Sequence, residues 1–404
     1  MRFVTPSLNL WARSTRHAIG FGTLALAALL HACGGGVEGQ GTGAVGYSQG
    51  PISGFGSIVV NGIHFDESSA RITDDDGHTL AASDLKLGMT VRIDSGAIDQ
   101  ANGTATATAV QVGSDLIGPV SANDLAGSTL TLLGQTVLVT ASTVFDDALA
   151  GGQAAVQVND TLQVFAILDP VSGVYAARRI ERADHPSAYK LLGIVAGLDT
   201  AQHAFRIGAA GLAYSADTAP ADLANGQILR LTLATTTDGN GRWVVTRFAN
   251  GAAHPADGSE VEIESVIASF TSNADFTVSG VRVNAASASI EPAGTTLAAG
   301  LRVEIEGVMS GGVLVASKVK VEGSGDDGGD DNGGGQQIEL GGRIAGLDSA
   351  AKTFVLRGQT VDYASASFDN GGVADLANDK KVEVTGHMSD DGNVVVAEQI
   401  NFEN

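Results

Sequence analysis

At 404 residues and 44% apolar side chains, the chain is long enough for several domains with real cores and too apolar to be disordered throughout. Its 45 acidic against 23 basic residues give a formal charge of −22, a surface that repels nucleic acid and anionic headgroups, so nucleic acid is excluded as a partner. A single cysteine, Cys33, excludes an intramolecular disulfide, and with two Trp and five Tyr the cores must be built mainly from Val, Ile, Leu, Ala and Phe.

The N-terminus carries Arg2, Arg13 and Arg16 and no acidic residue, then an apolar stretch over residues 18–30, then Leu30-His31-Ala32-Cys33 and three glycines. Thirteen residues of helix span about 20 Å against the roughly 30 Å of a bilayer core, so the stretch is too short for an anchor that crosses it. An ordinary cleaved leader would have no use for the cysteine. The layout predicts a lipoprotein signal peptide over 1–32, with Cys33 as the lipid attachment site. Removing that leader takes away three basic residues and no acidic ones, leaving −25. Gly34 stands where an Asp would resemble the inner-membrane retention signal, which favours the outer membrane.

Residues 33–50 are Gly-rich and polar and read as a tether. Beyond them one order of parts recurs five times, over 51–113, 114–183, 188–250, 259–323 and 337–404. Each copy has a short strand entering a turn, an alternating hairpin, a segment such as Leu297-Ala298-Ala299-Gly300-Leu301-Arg302-Val303-Glu304-Ile305, and a closing strand such as Val395-Val396-Ala397-Glu398-Gln399-Ile400. In two hairpins, Ile58/Val60 faces Ile63/Phe65 across Asn61-Gly62, and Val278 faces Val281 across Ser279-Gly280. Two others pair Leu130/Leu132 with Val137/Val139 about Gly134-Gln135, and Phe354/Leu356 with Val361/Tyr363 about Gly358-Gln359, as if each arm had gained a residue. Phe205/Ile207 with Leu212/Tyr214 has the same separation.

Period-two alternation with no long amphipathic helix predicts an all-β chain, a tandem array of five small β-barrel-like (OB-like) modules, each around its own core. The low-complexity linker over 324–336 predicts that the fifth module moves freely of the other four.

Tandem units of the form Gly-x-Ile, Phe-x-Leu-x-Gly-x-x-Val, Gly-x-x-Val-x-Val-x-Gly and Val-Val-Ala-x-x-Ile behind such a leader resemble bacterial lipoproteins made of domain of unknown function 5666 repeats. The match is clearest over 342–400 and weakest in the second copy, where Asn159-Asp160 replaces the glycine before Thr161. The resemblance implies exported β modules and supplies no catalytic residues.

Several motifs suggest chemistry. Gly46-Tyr47-Ser48-Gln49-Gly50 matches G-x-S-x-G, but that elbow needs a strand-to-helix turn above a parallel sheet, and here it falls in the tether before Pro51, so Ser48 is not a nucleophile. Asp74-Asp75-Asp76-Gly77, and Asp326-Asp327 with Asp330-Asp331, lack the spacing of a calcium loop and read as a solvated turn and linker. His64, His78, His185, His203, His254 and His387 are scattered with no zinc-type spacing. Glu304 and Glu306 alternate on a strand and read as the charged outer face of a barrel.

The expectation is a non-enzymatic lipoprotein with no catalytic, cofactor or metal site, held to the bilayer through acylated Cys33, with a binding or spacing role toward an envelope protein or polysaccharide. One alternative is a polysaccharide-acting envelope enzyme or accessory factor, which would need a carboxylate-lined cleft with an aromatic platform; Trp243 is the only Trp after the leader. The other is a calcium-responsive adhesin.

Overall fold

The computed structural model describes residues 45–322 and 337–403, so Cys33, most of the tether and the 324–336 linker lie outside the described residues. The described chain is strand after strand, interrupted by 3-10 turns of three or four residues. No helix among these residues is long and apolar enough to cross a membrane.

The second copy shows the plan. Its first strand, Leu116–Asp124, pairs with Thr129–Leu132, which turns into Gln135–Leu138. That arm lies parallel to the last strand, Tyr175–Arg182, which pairs with Thr161–Leu168, and this strand returns to the first. The ring therefore closes, as in a five-stranded Greek-key barrel, and leaves no edge strand within itself. Val144–Phe145 adds a short parallel rung to the last strand. The fourth copy repeats the ring with Glu260–Ser272, Asp275–Val278, Val281–Asn284, Val313–Val321 and Arg302–Ser310. In the third and fifth copies the first strand is jogged, as Tyr189–Ile194 then Ala196–Asp199, and Ile338–Arg343 then Ala345–Asp348. Their rings close in the same way. The first copy uses Gly46–Pro51 and Gly54–Phe55 as its first strand.

Local chemistry accounts for the recurring motif positions. The residue two before the fourth ring strand is left-handed in each copy: Gly88, Gly226 and Gly300 at φ 78, 87 and 88, and Asn159 and Asp379 at φ 74 and 68. Asn and Asp tolerate this region best among residues with a side chain, so Asn159 keeps the turn that the missing glycine would make. The glycine closing Val-x-Val-x-Gly sits at a β-bulge against the last strand; a Cβ on Gly386 would lie 2.1 Å from the Val396 carbonyl oxygen. Phe65, Phe205, Phe276 and Phe354 each fill a barrel from the hairpin and are almost wholly buried, each contributing about 1.5–3 kcal/mol.

The hairpins correct the sequence reading. Leu130 pairs with Val137 but Leu132 with Gln135, and Phe354 with Val361 but Leu356 with Gln359. The turns are therefore the two-residue Leu133-Gly134 and Arg357-Gly358, with φ of 50/73° and 53/82°, the same shape as Asn61-Gly62 and Ser279-Gly280. The loops do not lengthen. A leucine at positive φ is unfavourable, but Leu133 is buried in the position where a Cβ on Gly118 would collide with it.

Two further expectations fail at the seams between barrels. Residues 46–50 are not tether: Gly46–Pro51 is a buried strand, antiparallel to Thr90–Ser95 and parallel to Glu260–Ile263 of the fourth barrel. Its glycines allow close approach; a Cβ on Gly46 or Gly50 would stand 2.3 Å from Ser95 Oγ or Asn61 Oδ1. The fifth barrel does not move freely either. Glu339–Leu340 pairs in parallel with Gly54–Phe55, and one apolar cluster runs through the first and fifth barrels, as another joins the second and third. Only the fourth barrel keeps a largely separate core, with Tyr47 of the first packed on it.

Candidate functional site

Four barrels converge on one open cavity of about 100 Å³. The first contributes Arg92, the second Asp115 and Ile167, the third Ile228 and Arg230, and the fourth Val266. Apolar side chains thus alternate around it with a few fixed charges, the composition of a small-molecule site.

The charges are fixed by pairing across barrels. The acidic turn at Asp74–Gly77, expected to be solvated, instead docks on cations of the third barrel. Asp75 binds Lys190 and lies 3.4 Å from Arg230 Nη1; Asp76 lies 2.6 Å from Lys190 Nζ and 2.5 Å from Arg247 Nη2. Arg230 also faces Asp115 at 3.4 Å and donates to the Ser114 carbonyl. Asp115 is buried, accepts from the Ala166 N–H at 2.7 Å, and is pushed up to about 6 by burial, against the pull of Arg230. Arg92 donates to the Gly251 carbonyl at 2.7 Å, and burial lowers its pKa. At the far end Glu264 takes Arg302 Nε at 2.7 Å and faces the buried Arg178 at 3.5 Å. Burial lowers Arg178 to about 10, with the Glu264 charge opposing.

The cavity lining carries no histidine, cysteine or aromatic ring. Trp243, the candidate sugar platform, packs edge-on against Tyr189 at 5.5 Å and lies off the cavity. Ser48 is buried mid-strand, between Ile93 and Glu262 on the neighbouring strands, and takes no part in a strand-to-helix elbow. Of the histidines, His78 pairs with Asp74 at 2.9 Å, His64 with Glu339 at 3.3 Å and His387 with Glu398 at 3.0 Å, each in a different place. Glu304 and Glu306 do share one face, and Glu262 joins them from the neighbouring strand. Asp326, Asp327, Asp330 and Asp331 lie outside the described residues.

Sequence reasoning missed Asp115, Arg178, Arg230 and Glu264. Their signal is faint: Arg178, Arg230 and Glu264 are single charges within strands and Asp115 sits in the bend before one, and their charged partners come from other barrels or distant strands.

A search of curated proteins finds no significant relative. Among solved structures, a part of drosophila Unr (CSD456) covers 53% of this chain and 98% of its own, at 12% identity and a TM-score of 0.17. A multidomain protein with nucleic acid binding domains from Streptococcus pneumoniae covers 54% and 75%, at 13% identity and a TM-score of 0.15. Likeness at that level carries no argument. The family model described as Domain of unknown function (DUF5666) matches residues 117–181, 262–320 and 341–401. Those matches fall on the second, fourth and fifth barrels, so the chain carries three tandem matches to that domain of unknown function, and its first and third barrels repeat the same closed ring.

Proposed function

We propose that this chain is a non-enzymatic lipoprotein of the bacterial outer membrane, acylated at Cys33, whose packed barrels form a binding scaffold with its ligand site in the junction cavity. One observation carries the reading: four barrels contribute to a single largely apolar cavity in which Arg230 pairs with both Asp75 and Asp115. A rim of paired ions holds geometry without offering a free base or nucleophile, which suits binding better than turnover. The ligand that fits is a small, largely apolar molecule with a polar head, presented by an envelope protein or polysaccharide. The formal charge of −25 left after leader removal argues against nucleic acid.

Two experiments test the reading. Labelled palmitate should enter the wild type and not Cys33→Ser, which should leave the membrane fraction; equal labelling of both would refute anchoring. The apolar anion anilinonaphthalene sulfonate should bind the full chain and lose at least tenfold in affinity in Ile228→Trp, which fills the cavity. Unchanged binding would show that the cavity is not the ligand site.

A further inference from the structure

Outside the junction, strand pairing places three carboxylates on one patch of the fourth barrel. Glu262 lies directly opposite Glu306, and Glu304 is two residues along the same strand, so all three side chains rise on one face. One oxygen from each lies within 4.8 Å of the others. Ligand oxygens around a single calcium ion, at 2.3–2.6 Å each, are at most about 5 Å apart, so the group has the span of one coordination shell.

Two of the three carboxylates have cationic partners. Lys318 Nζ stands 2.8 Å from Glu306, and Lys320 lies 3.7 Å from Glu304 while also binding Glu322 at 2.9 Å. Glu262 has none. It is 1% exposed, its Oε1 accepts from Gln100 Nε2 of the first barrel at 2.7 Å, and its Oε2 is buried with no hydrogen-bond partner. Like charges directly across a strand pair repel, and a buried carboxylate oxygen without a donor is costly. Lys318 supplies part of the compensating positive charge, and a bound cation would supply more.

We propose that Glu262, Glu304 and Glu306 form a calcium site that clamps the first barrel to the fourth. The donors are all hard oxygens, which excludes soft metals, and three carboxylates leave room for the further oxygens that calcium takes. Gln100 fixes Glu262 from the first barrel, so filling the site ties its loop to the sheet of the fourth. Burial pushes Glu262 up to about 8 and Glu304 to about 7. The groups facing them are Ser48 and Gln100 from the first barrel, Glu264 on their own sheet, Lys318 and Lys320 from the last strand, and Glu322 just after it.

Calorimetric titration of the full chain with calcium chloride tests this. We expect saturable one-to-one binding, weakened at least tenfold in Glu262→Gln and in Glu306→Gln, while Asp217→Asn, at an exposed position of the third barrel, binds as the wild type does. Magnesium chloride should bind at least tenfold more weakly. No binding at millimolar calcium, or binding that survives both Glu variants, would overturn the proposal. If Glu262→Gln fails to fold, Glu306→Gln, on an exposed-side ligand, decides alone.

Discussion

Neutralising Asp75 tests whether the barrels are locked by charge. Its side chain is 8% exposed, and Lys190 and Arg230 opposite are 11% and 12% exposed, so solvent screens these pairs little. Removing one partner of a buried pair costs about 3–5 kcal/mol when the other is stranded. Here neither cation is stranded, since Lys190 keeps Asp76 at 2.6 Å and Arg230 keeps Asp115 at 3.4 Å. Asp75→Asn should therefore cost about 2 kcal/mol, below that range. Urea unfolding of wild type, Asp75→Asn, Lys190→Met and the double variant gives the coupling directly, and a value of about 1–2 kcal/mol is expected for groups in contact. A coupling under about 0.3 kcal/mol, the scatter of independent sites, would refute the docking of this turn.

Other changes have equally definite outcomes. Gly386→Ala should destabilise by about 2 kcal/mol or more in chemical denaturation, because its Cβ would meet a backbone carbonyl at 2.1 Å; Gly96→Ala, with open space around it, should stay within about 0.5 kcal/mol. Phe354→Ala empties a wholly buried site and should cost about 3–5 kcal/mol, with hydrogen exchange rising also in the first barrel that shares its cluster. Glu262 has a folded pKa raised above its unfolded value, so with chelator present the folded state holds a proton that the unfolded state has lost. Stability should fall as pH rises from about 4.5 to about 8, with a slope of up to about 1.4 kcal/mol per pH unit, and Glu262→Gln should flatten that slope. An unchanged slope in the variant would assign the pH dependence elsewhere.

What can be read from the residues is whatever a barrel determines within itself. Alternation and Asn61-Gly62 locate the first hairpin because both depend on neighbours in the chain. The turn at Leu133-Gly134 falls one residue away from its place in the sequence pattern, because its leucine is held at positive φ by packing on Gly118, fifteen positions away. The seams are hidden for a related reason. In Gly46–Pro51 glycine serves close backbone approach, and by composition this is indistinguishable from a flexible tether. Asp74–Gly77 carries its own turn chemistry, but its cations lie more than a hundred residues on, in the third barrel. The carboxylate patch is half visible: Glu304 and Glu306 share a strand, while Glu262 joins them only by cross-strand register.

The closed barrels are fused through their backbones, and three amides report on that fusion most directly. Glu260 N–H donates to the Val45 carbonyl at 3.0 Å, Glu339 N–H to the Ser53 carbonyl at 3.2 Å, and Phe145 N–H to the Gly392 carbonyl at 2.9 Å, each across a seam. Native-state hydrogen exchange of the full chain should show all three protected by at least about a hundredfold, as interior sheet amides are. Exchange at the rate of exposed turns, with the barrel interiors still protected, would mean that the barrels are separate beads.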